Sequence, residues 1–161
     1  MPIEVISSGG NNNMGSKSFG IFNKSDLYTG TGSGFQPVSG LTNGTLMGIR
    51  LQGDETNGDR IIVDEPGTYQ ISLSILVSLS DTAPVGVFDL RGFVRKNTDS
   101  GDYARNQYTY DYDGSHPIQS RCAVDHIDMV ANDYVRIFYF DSSSLYEAIF
   151  QTMRLCITKI S

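Results

Sequence analysis

Few side chains in this sequence combine a reactive type with a spacing that supports catalysis. The chain has two histidines, His116 and His126, and two cysteines, Cys122 and Cys156. A zinc site needs Cys or His ligands at short, paired spacings, and neither pair provides them. No G-x-S-x-G segment marks a serine nucleophile. We therefore predict no catalytic residue, and we interpret both histidines as neutral surface or interface side chains.

Two loops begin like ligand-binding loops but lack the residue that would complete the motif. Residues 30–34 alternate glycine with Thr and Ser, yet no Gly-Lys-Ser/Thr follows, so a phosphate-binding P-loop is excluded. Asp111 and Asp113 start a segment like a calcium loop, but Cys122 stands where an EF-hand needs Glu. A looser calcium site that uses Asp111 and Asp113 stays open beside the alternative of a solvated turn. A second acidic turn contains Asp54, Glu55 and Asp59, and the same two alternatives, a loose calcium site and a solvated hydrogen-bonded turn, apply to it.

A tyrosine-rich stretch between positions 103 and 112 is the best candidate for a ligand-binding surface. Tyrosine combines a rigid ring with a polar tip, a chemistry that suits sugars and protein epitopes. The alternative is that these rings pack on neighbouring strands or subunits. The candidate residues are Tyr103, Arg105, Tyr108, Tyr110 and Tyr112.

Composition excludes several classes of protein. The 161 residues include 12 Lys and Arg against 18 Asp and Glu, a net charge of −6. Binding to nucleic acid draws its affinity from clustered cations, so we expect no nucleic-acid partner. No apolar run reaches the roughly 18 residues that span a bilayer, so we expect no membrane insertion. The N-terminus lacks the basic and apolar regions of a secretory signal.

The pattern along the chain predicts an all-β protein. Residues 1–16 have the composition of a flexible arm, and residues 23–44 are loop-like. In the segment 69–79, apolar residues alternate with Gln and Ser, which places one set in a core and the other on a polar face. Further strands are expected at 18–22, 46–51, 60–63, 85–96, 103–112, 121–130, 134–140 and 146–160. Regular turns between strands favour a sandwich or barrel.

The segment 134–140 is apolar on both faces of its strand. An antiparallel sheet usually keeps one face in water, so such a strand needs a second cover. We predict that a subunit interface provides it, with the N-terminal arm of the same chain as the alternative. The predicted interface residues are Tyr134, Phe138 and Phe140, and the opposite face holds Val135, Ile137 and Tyr139. The last strand is similarly apolar on both faces, so the predicted interface includes its outer face; one side holds Ile149, Met153, Leu155 and Ile157, and the other holds Phe150, Cys156 and Ile160.

Both cysteines lie in apolar stretches. Free Cys behaves as a small buried hydrophobe, so two reduced core thiols are the first interpretation. A disulfide between strands is the alternative.

Four segments resemble the C1q-like branch of the C1q/tumour-necrosis-factor (TNF) family. The segment 66–69, Pro-Gly-Thr-Tyr, resembles the entry to that family's central strand. The segment 129–135 resembles its Leu-x-x-Gly-Asp-x-Val step, with Asn132 in place of Gly. Segments 19–22 and 150–160 resemble its first and last strands.

The resemblance implies an antiparallel jelly-roll sandwich of about eight to ten strands over residues 17–161. It also implies a homotrimer whose inner sheet faces the threefold axis, with Tyr134, Phe138 and Phe140 as the axial candidates.

The setting follows by analogy with that fold. Because the family is commonly secreted and this chain starts without a signal, we predict a virion surface protein made in host cytoplasm. It would be a non-enzymatic knob that decorates a phage capsid or caps a fibre, attaches through residues 1–16 to a capsid or fibre-shaft protein, and binds host-surface carbohydrate or protein. The alternative is an extracellular C1q-like lectin or signalling ligand, and a glycan hydrolase is a third option.

Overall fold

The computed structural model describes residues 18–24, 28–30, 34–79, 86–98, 101–112, 119–141 and 148–161. Every regular element in these residues is a β-strand. The strands are β1 (Phe19–Lys24), β2 (Tyr28–Gly30), β3 (Gly34–Pro37), β4 (Thr42–Met47), β5 (Ile49–Gln52), β6 (Arg60–Val63), β7 (Gly67–Leu79), β8 (Gly86–Lys96), β9 (Tyr103–Tyr112), β10 (Gln119–Met129), β11 (Tyr134–Asp141) and β12 (Ala148–Lys159). No helix in this part of the chain is long and apolar enough to cross a membrane.

The strands form two antiparallel sheets that pack face to face. Sheet 1 has the order β10-β7-β12-β1-β4, and β2 pairs with β12. Sheet 2 has the order β5-β6-β11-β8-β9, and β3 pairs with β11. The predicted all-β antiparallel sandwich is therefore confirmed, and each sheet keeps an outer face turned away from the core.

Strand β7 shows why these sequences form strands. Its odd-numbered residues from Tyr69 to Val77 are almost fully buried, whereas Gln70, Ser72 and Ser74 lie on the outer face of sheet 1. Side chains alternate between the faces of a strand, so a period of two in polarity produces this arrangement directly. The predicted alternation is confirmed over the described side chains.

Two expectations about the strands were wrong. Residues 23–44 were expected to be loop-like, but they contribute β2, β3 and the start of β4. Residues 46–51 were expected to form one strand, but Gly48 separates β4 from β5 with a φ of 63°. That left-handed conformation suits glycine, so the chain changes sheet there. These additions bring the described strands to twelve, above the eight to ten expected.

Close packing between the sheets depends on Gly92 in β8. Gly92 is buried on the core side of sheet 2, opposite Ile75 of β7. A Cβ atom at position 92 would overlap Cδ1 of Ile75. Glycine here lets the two sheets approach closely enough to leave no gap above Ile75.

The predicted domain 17–161 covers all of the described residues. The predicted arm, residues 1–16, lies outside them.

Candidate functional site

The residues considered for calcium binding lie largely outside the described part of the chain, so that site stays a prediction. The side chain of Asp111, and all of Asp113 and His116, lie outside the described residues. His126 is exposed on the outer face of sheet 1, opposite Gln70. Among the side chains that the structure describes, no group of three or more His, Cys, Asp or Glu residues is placed to hold a metal ion.

The acidic turn at 54–59 uses its carboxylates to hold its own backbone. Asp59 is 3% exposed, and its two oxygens accept hydrogen bonds from the N–H groups of Leu41 (2.7 Å) and Asp54 (2.9 Å). Asp54 accepts from the N–H groups of Thr56 and Asn57. The hydrogen bonds from Asn57 are the main cause of the lowered pKa of Asp54. These contacts match the interpretation of this loop as a hydrogen-bonded turn.

The predicted tyrosine-rich surface lies on β9, at the edge of sheet 2. Tyr103 is half-buried and packs against the core. Arg105 is exposed. The side chains of Tyr108, Tyr110 and Tyr112 lie outside the described residues, so their role in ligand binding stays a prediction.

The predicted interface residues lie together on the outer face of sheet 2. Tyr134, Phe138 and Phe140 are each half-buried, while the opposite face of β11 is buried in the core. Phe138 stacks on Phe93 with 5.8 Å between ring centroids and 8° between ring planes. Phe140 packs against Phe35 of β3 at 5.2 Å. Part of the expected second cover therefore comes from β3 of the same chain.

Arginine side chains complete this cover. The guanidinium carbon of Arg95 lies 4.8 Å from the ring centroid of Phe35, 5.0 Å from that of Phe93 and 5.3 Å from that of Phe138. Asp102 holds Arg95 in place through a 2.9 Å ion pair. A cation over several ring faces is attracted by their quadrupoles and shields them from water. The role of Tyr134, Phe138 and Phe140 in a subunit contact stays a prediction.

The outer face of sheet 1 is a second apolar surface. The two-faced last strand predicted its centre at β12, but Met47 and Val124 were not predicted. Met47 is 51% exposed and Val124 is 55% exposed on this face. Phe19 and Ile21 are half-buried on β1, the strand next to that of Met47. An open cleft of about 550 Å³ is lined by Phe19, Gly20, Ile21, Cys156, Thr158 and Lys159. The available signal was an apolar residue, Val124, on the polar side of an otherwise alternating strand.

The centre of this face is almost free of charge. Ser72 and Ser74 of β7 lie between the outward residues of β10 and β12. On the three central strands β7, β12 and β1, the described charged residues at this face are Arg154 and, at the end of β12, Lys159 in the lining of the cleft. Low charge density is typical of the buried centre of a protein interface.

Both cysteines lie on this same face. Cys122 is exposed and Cys156 is half-buried, and neither is in a disulfide. Both cysteines are therefore free, as expected, but the expectation that they lie in the core was wrong. The Sγ atom of Cys122 is 3.2 Å from the hydroxyl oxygen of Ser72. Hydrogen bonds from Ser72 and Ser74 lower the pKa of the Cys122 thiol.

Comparison with known proteins identifies the fold. No protein-family model matches the sequence, and no curated protein matches it. The structure is similar to that of Eiger TNF from S. frugiperda, with a TM-score of 0.60 over 91% of this chain and 92% of that one. It is also similar to murine APRIL at pH 5.0, with a TM-score of 0.58 over 89% of this chain and 99% of that one. Sequence identity is 11% in both cases. The chain thus has the TNF-like jelly-roll fold predicted from its sequence.

Proposed function

We propose that this chain is a non-enzymatic, homotrimeric binding protein that acts outside the cell as a TNF-like or C1q-like ligand. The fold supports the class, because the similar structures include a protein described as a TNF. The apolar, nearly uncharged outer face of sheet 1 supports the assembly. The proposal depends on this one observation, that an apolar and weakly charged face of the sheet is exposed.

The trimer contact is assigned to the outer face of sheet 1 for a physical reason. Exposed Val124 and Met47 lie on the two edge strands of this sheet, and half-buried Cys156 and Ile21 lie on the strands between them. Monomeric proteins rarely leave an apolar surface of this extent in water. The small Ser72 and Ser74 side chains between them let a second backbone approach. On sheet 2, by contrast, Phe93 is already covered by rings and by Arg95. The face of Tyr134, Phe138 and Phe140 is the alternative contact.

Three linked copies explain how such a module works without catalysis. Each copy presents the same surface, so a partner with repeated epitopes is held at a high effective concentration after its first contact. The virion knob predicted from the sequence would use the same trimer. It would add attachment through residues 1–16, which lie outside the described residues.

Light scattering coupled to size-exclusion chromatography tests the assembly. At micromolar concentration we expect a mass of about three times the 17.7 kDa of one chain. A monomer mass under these conditions would contradict the proposal. A dimer would contradict the threefold arrangement while leaving the fold unaffected.

A further inference from the structure

The outer face of sheet 2 concentrates positive charge in a protein that is acidic overall. The net charge is −6, yet five of the eight arginines project from this one face. They are Arg50, Arg60, Arg91, Arg95 and Arg136. Three of them are paired with a carboxylate, namely Arg50 with Asp64, Arg60 with Asp54 and Arg95 with Asp102.

Arg136 lies at the centre of this cationic face without a carboxylate partner among the described residues. It stands directly opposite Arg95 in the register of β11 and β8. Like charges placed opposite each other across two strands destabilise a sheet. The Nε atom of Arg136 is buried and has no hydrogen-bond partner. A bound oxyanion would offset this repulsion.

Arg60 lies beside Arg136 and has a similar hydrogen-bond donor without a partner. Its guanidinium carbon lies 5.1 Å from the ring centroid of Tyr134, and that of Arg136 lies 5.0 Å from the same centroid. The Nε atom of Arg60 is also buried without a partner, and its ion pair with Asp54 is long, at 3.6 Å. Two guanidinium groups therefore meet at one tyrosine ring. Their planar forks match carboxylate, sulfate and phosphate oxygens.

Flat apolar rings continue the surface along β11. Phe35 is 47% exposed, and Arg91 lies 5.3 Å over the ring of Phe140. From Tyr134 to Phe140 the strand extends about 20 Å. The stripe of cations and rings is therefore much longer than a single small anion such as sulfate.

The geometry favours a carbohydrate over the other polyanions. Strand addition by an acidic peptide uses the backbone of a sheet edge, whereas these groups are side chains on a sheet face. The net charge of −6 opposes any long polyanion, a nucleic acid or a sugar chain alike, so the ligand is held by contacts local to this face. A sugar chain that carries sulfates or carboxylates offers anions for the arginines and flat faces for the rings.

We propose that this arginine–aromatic stripe, centred on Arg60, Tyr134 and Arg136, binds an acidic polysaccharide. The proposal names a ligand class for the binding protein proposed above and depends on that function only for its multivalency. One chain presents the whole stripe, so the site itself does not require the trimer.

The test is a calorimetric titration of the full-length protein with short dextran sulfate fragments. Uncharged dextran of the same length is the ligand control. We expect Arg136→Gln to weaken binding by about tenfold, the effect of losing one charge-assisted fork. Arg136→Lys keeps the charge but loses the fork, and we expect an intermediate affinity. Arg121→Gln removes the same charge from sheet 1, where Arg121 is exposed, and should change affinity by less than about twofold.

Each other outcome counts against the proposal. No binding of dextran sulfate, or equal losses in Arg136→Gln and Arg121→Gln, would overturn it. Inorganic sulfate that binds as tightly as the fragments would show an isolated anion site, and tighter binding of polyglutamate would show a peptide site. Thermal melting and light scattering of each variant keep the two proposals separate. A trimer that binds no polyanion contradicts only the stripe, and a monomer that binds dextran sulfate contradicts only the assembly.

Discussion

The Nδ2 group of Asn97 donates a 2.7 Å hydrogen bond to the carboxylate of Asp133, which is 36 residues further along the chain. The side-chain oxygen of Asn97 accepts a 2.8 Å hydrogen bond from the N–H of Tyr134. The turn after β8 is thus joined to the turn between β10 and β11. This contact connects sheet 2 to the chain that arrives from sheet 1.

Asp133 also holds its own turn closed. Its second oxygen accepts from the N–H of Val130 at 2.9 Å and pairs with the ammonium group of Lys96 at 3.1 Å. Asn132, beside it, has a φ of 71°, a conformation in which Asn is the usual substitute for Gly. The resemblance at residues 129–135 therefore reflects a step between sheets that needs an acid and a left-handed residue.

The first prediction concerns the stability that Asp133 provides. We expect Asp133→Ala to lower the free energy of unfolding by about 2 to 3 kcal/mol, because it leaves two donors and one ammonium group without their acceptor. Urea denaturation measures the change. Asp128→Ala is the matched control, since Asp128 is exposed and accepts one hydroxyl hydrogen bond, from Thr68. The control should cost less than about 0.5 kcal/mol, and equal losses would contradict the role of Asp133.

The second prediction concerns the pH dependence of that contribution. Burial alone would raise the pKa of Asp133, but the hydrogen bonds from Val130 and Asn97 and the charge of Lys96 outweigh it and lower the pKa. A carboxyl whose folded pKa is lowered stabilises the protein fully above its unfolded pKa of about 3.9 and loses that contribution as the pH falls through the folded pKa. The stability difference between wild type and Asp133→Asn should therefore be larger at about pH 6 than at about pH 3. A difference that stays constant or grows on acidification would be inconsistent with the lowered pKa.

Periodicity predicted the long strands because it reports which face of a strand is buried. Ile71 and Leu73 in β7, and Ile137 in β11, lie in the core as the alternation required. Periodicity does not report which sheet a strand joins or what covers its outer face. The cover of Phe93 comes from Phe35, which lies in a segment rich in Gly and Ser whose strands are too short to show a period.

The positions of the cysteines could not be predicted for a related reason. Cys122 and Cys156 are flanked by apolar residues, but register places both on the outer face of sheet 1 opposite serines of β7. Register depends on pairing between distant segments, which a single strand pattern does not encode. The apolar outer face of sheet 1 was predicted only at β12, because β1, β4 and β10 each contribute only one or two of its residues.

The third prediction compares the two possible trimer faces. Val124→Asp places a charge at a 55% exposed position, so it should leave the subunit folded and yield monomers. Phe138→Asp should remain trimeric while losing the stacking on Phe93 and the contact with Arg95. Light scattering measures the mass of each variant, and circular dichroism reports folding. The reverse result, with dissociation only in Phe138→Asp, would place the contact on sheet 2 as the sequence analysis predicted and would remove the stripe from solvent.

The fourth prediction concerns the packing between the sheets. Gly92→Ala should lower the free energy of unfolding by about 1 to 3 kcal/mol, since its Cβ would have to displace Ile75 in a filled core. Gly44→Ala is the control, because a Cβ there would lie at an ordinary 3.6 Å from the carbonyl oxygen of Ile21. Urea denaturation should show a clear loss for the first variant and little change for the second. Similar stabilities would mean that the core yields at Ile75 and that Gly92 is not required for close packing.

The fifth prediction uses Cys122 as a chemical probe of the assembled protein. Hydrogen bonds from Ser72 and Ser74 lower the pKa of its thiol, which raises the reactive thiolate fraction near neutral pH. Cys122 shares the outer face of β10 with Val124, so a trimer built on sheet 1 should shield it from iodoacetamide. We expect the alkylation rate, followed by mass spectrometry, to rise by about tenfold in Val124→Asp, as the shielded thiolate becomes accessible. Val130→Asp changes a 63% exposed residue in the turn beyond this face and should leave the rate unchanged. If both variants react at the wild-type rate while Val124→Asp is monomeric, the contact does not cover Cys122, and it must lie nearer to Phe19 and Met47 at the other side of the sheet.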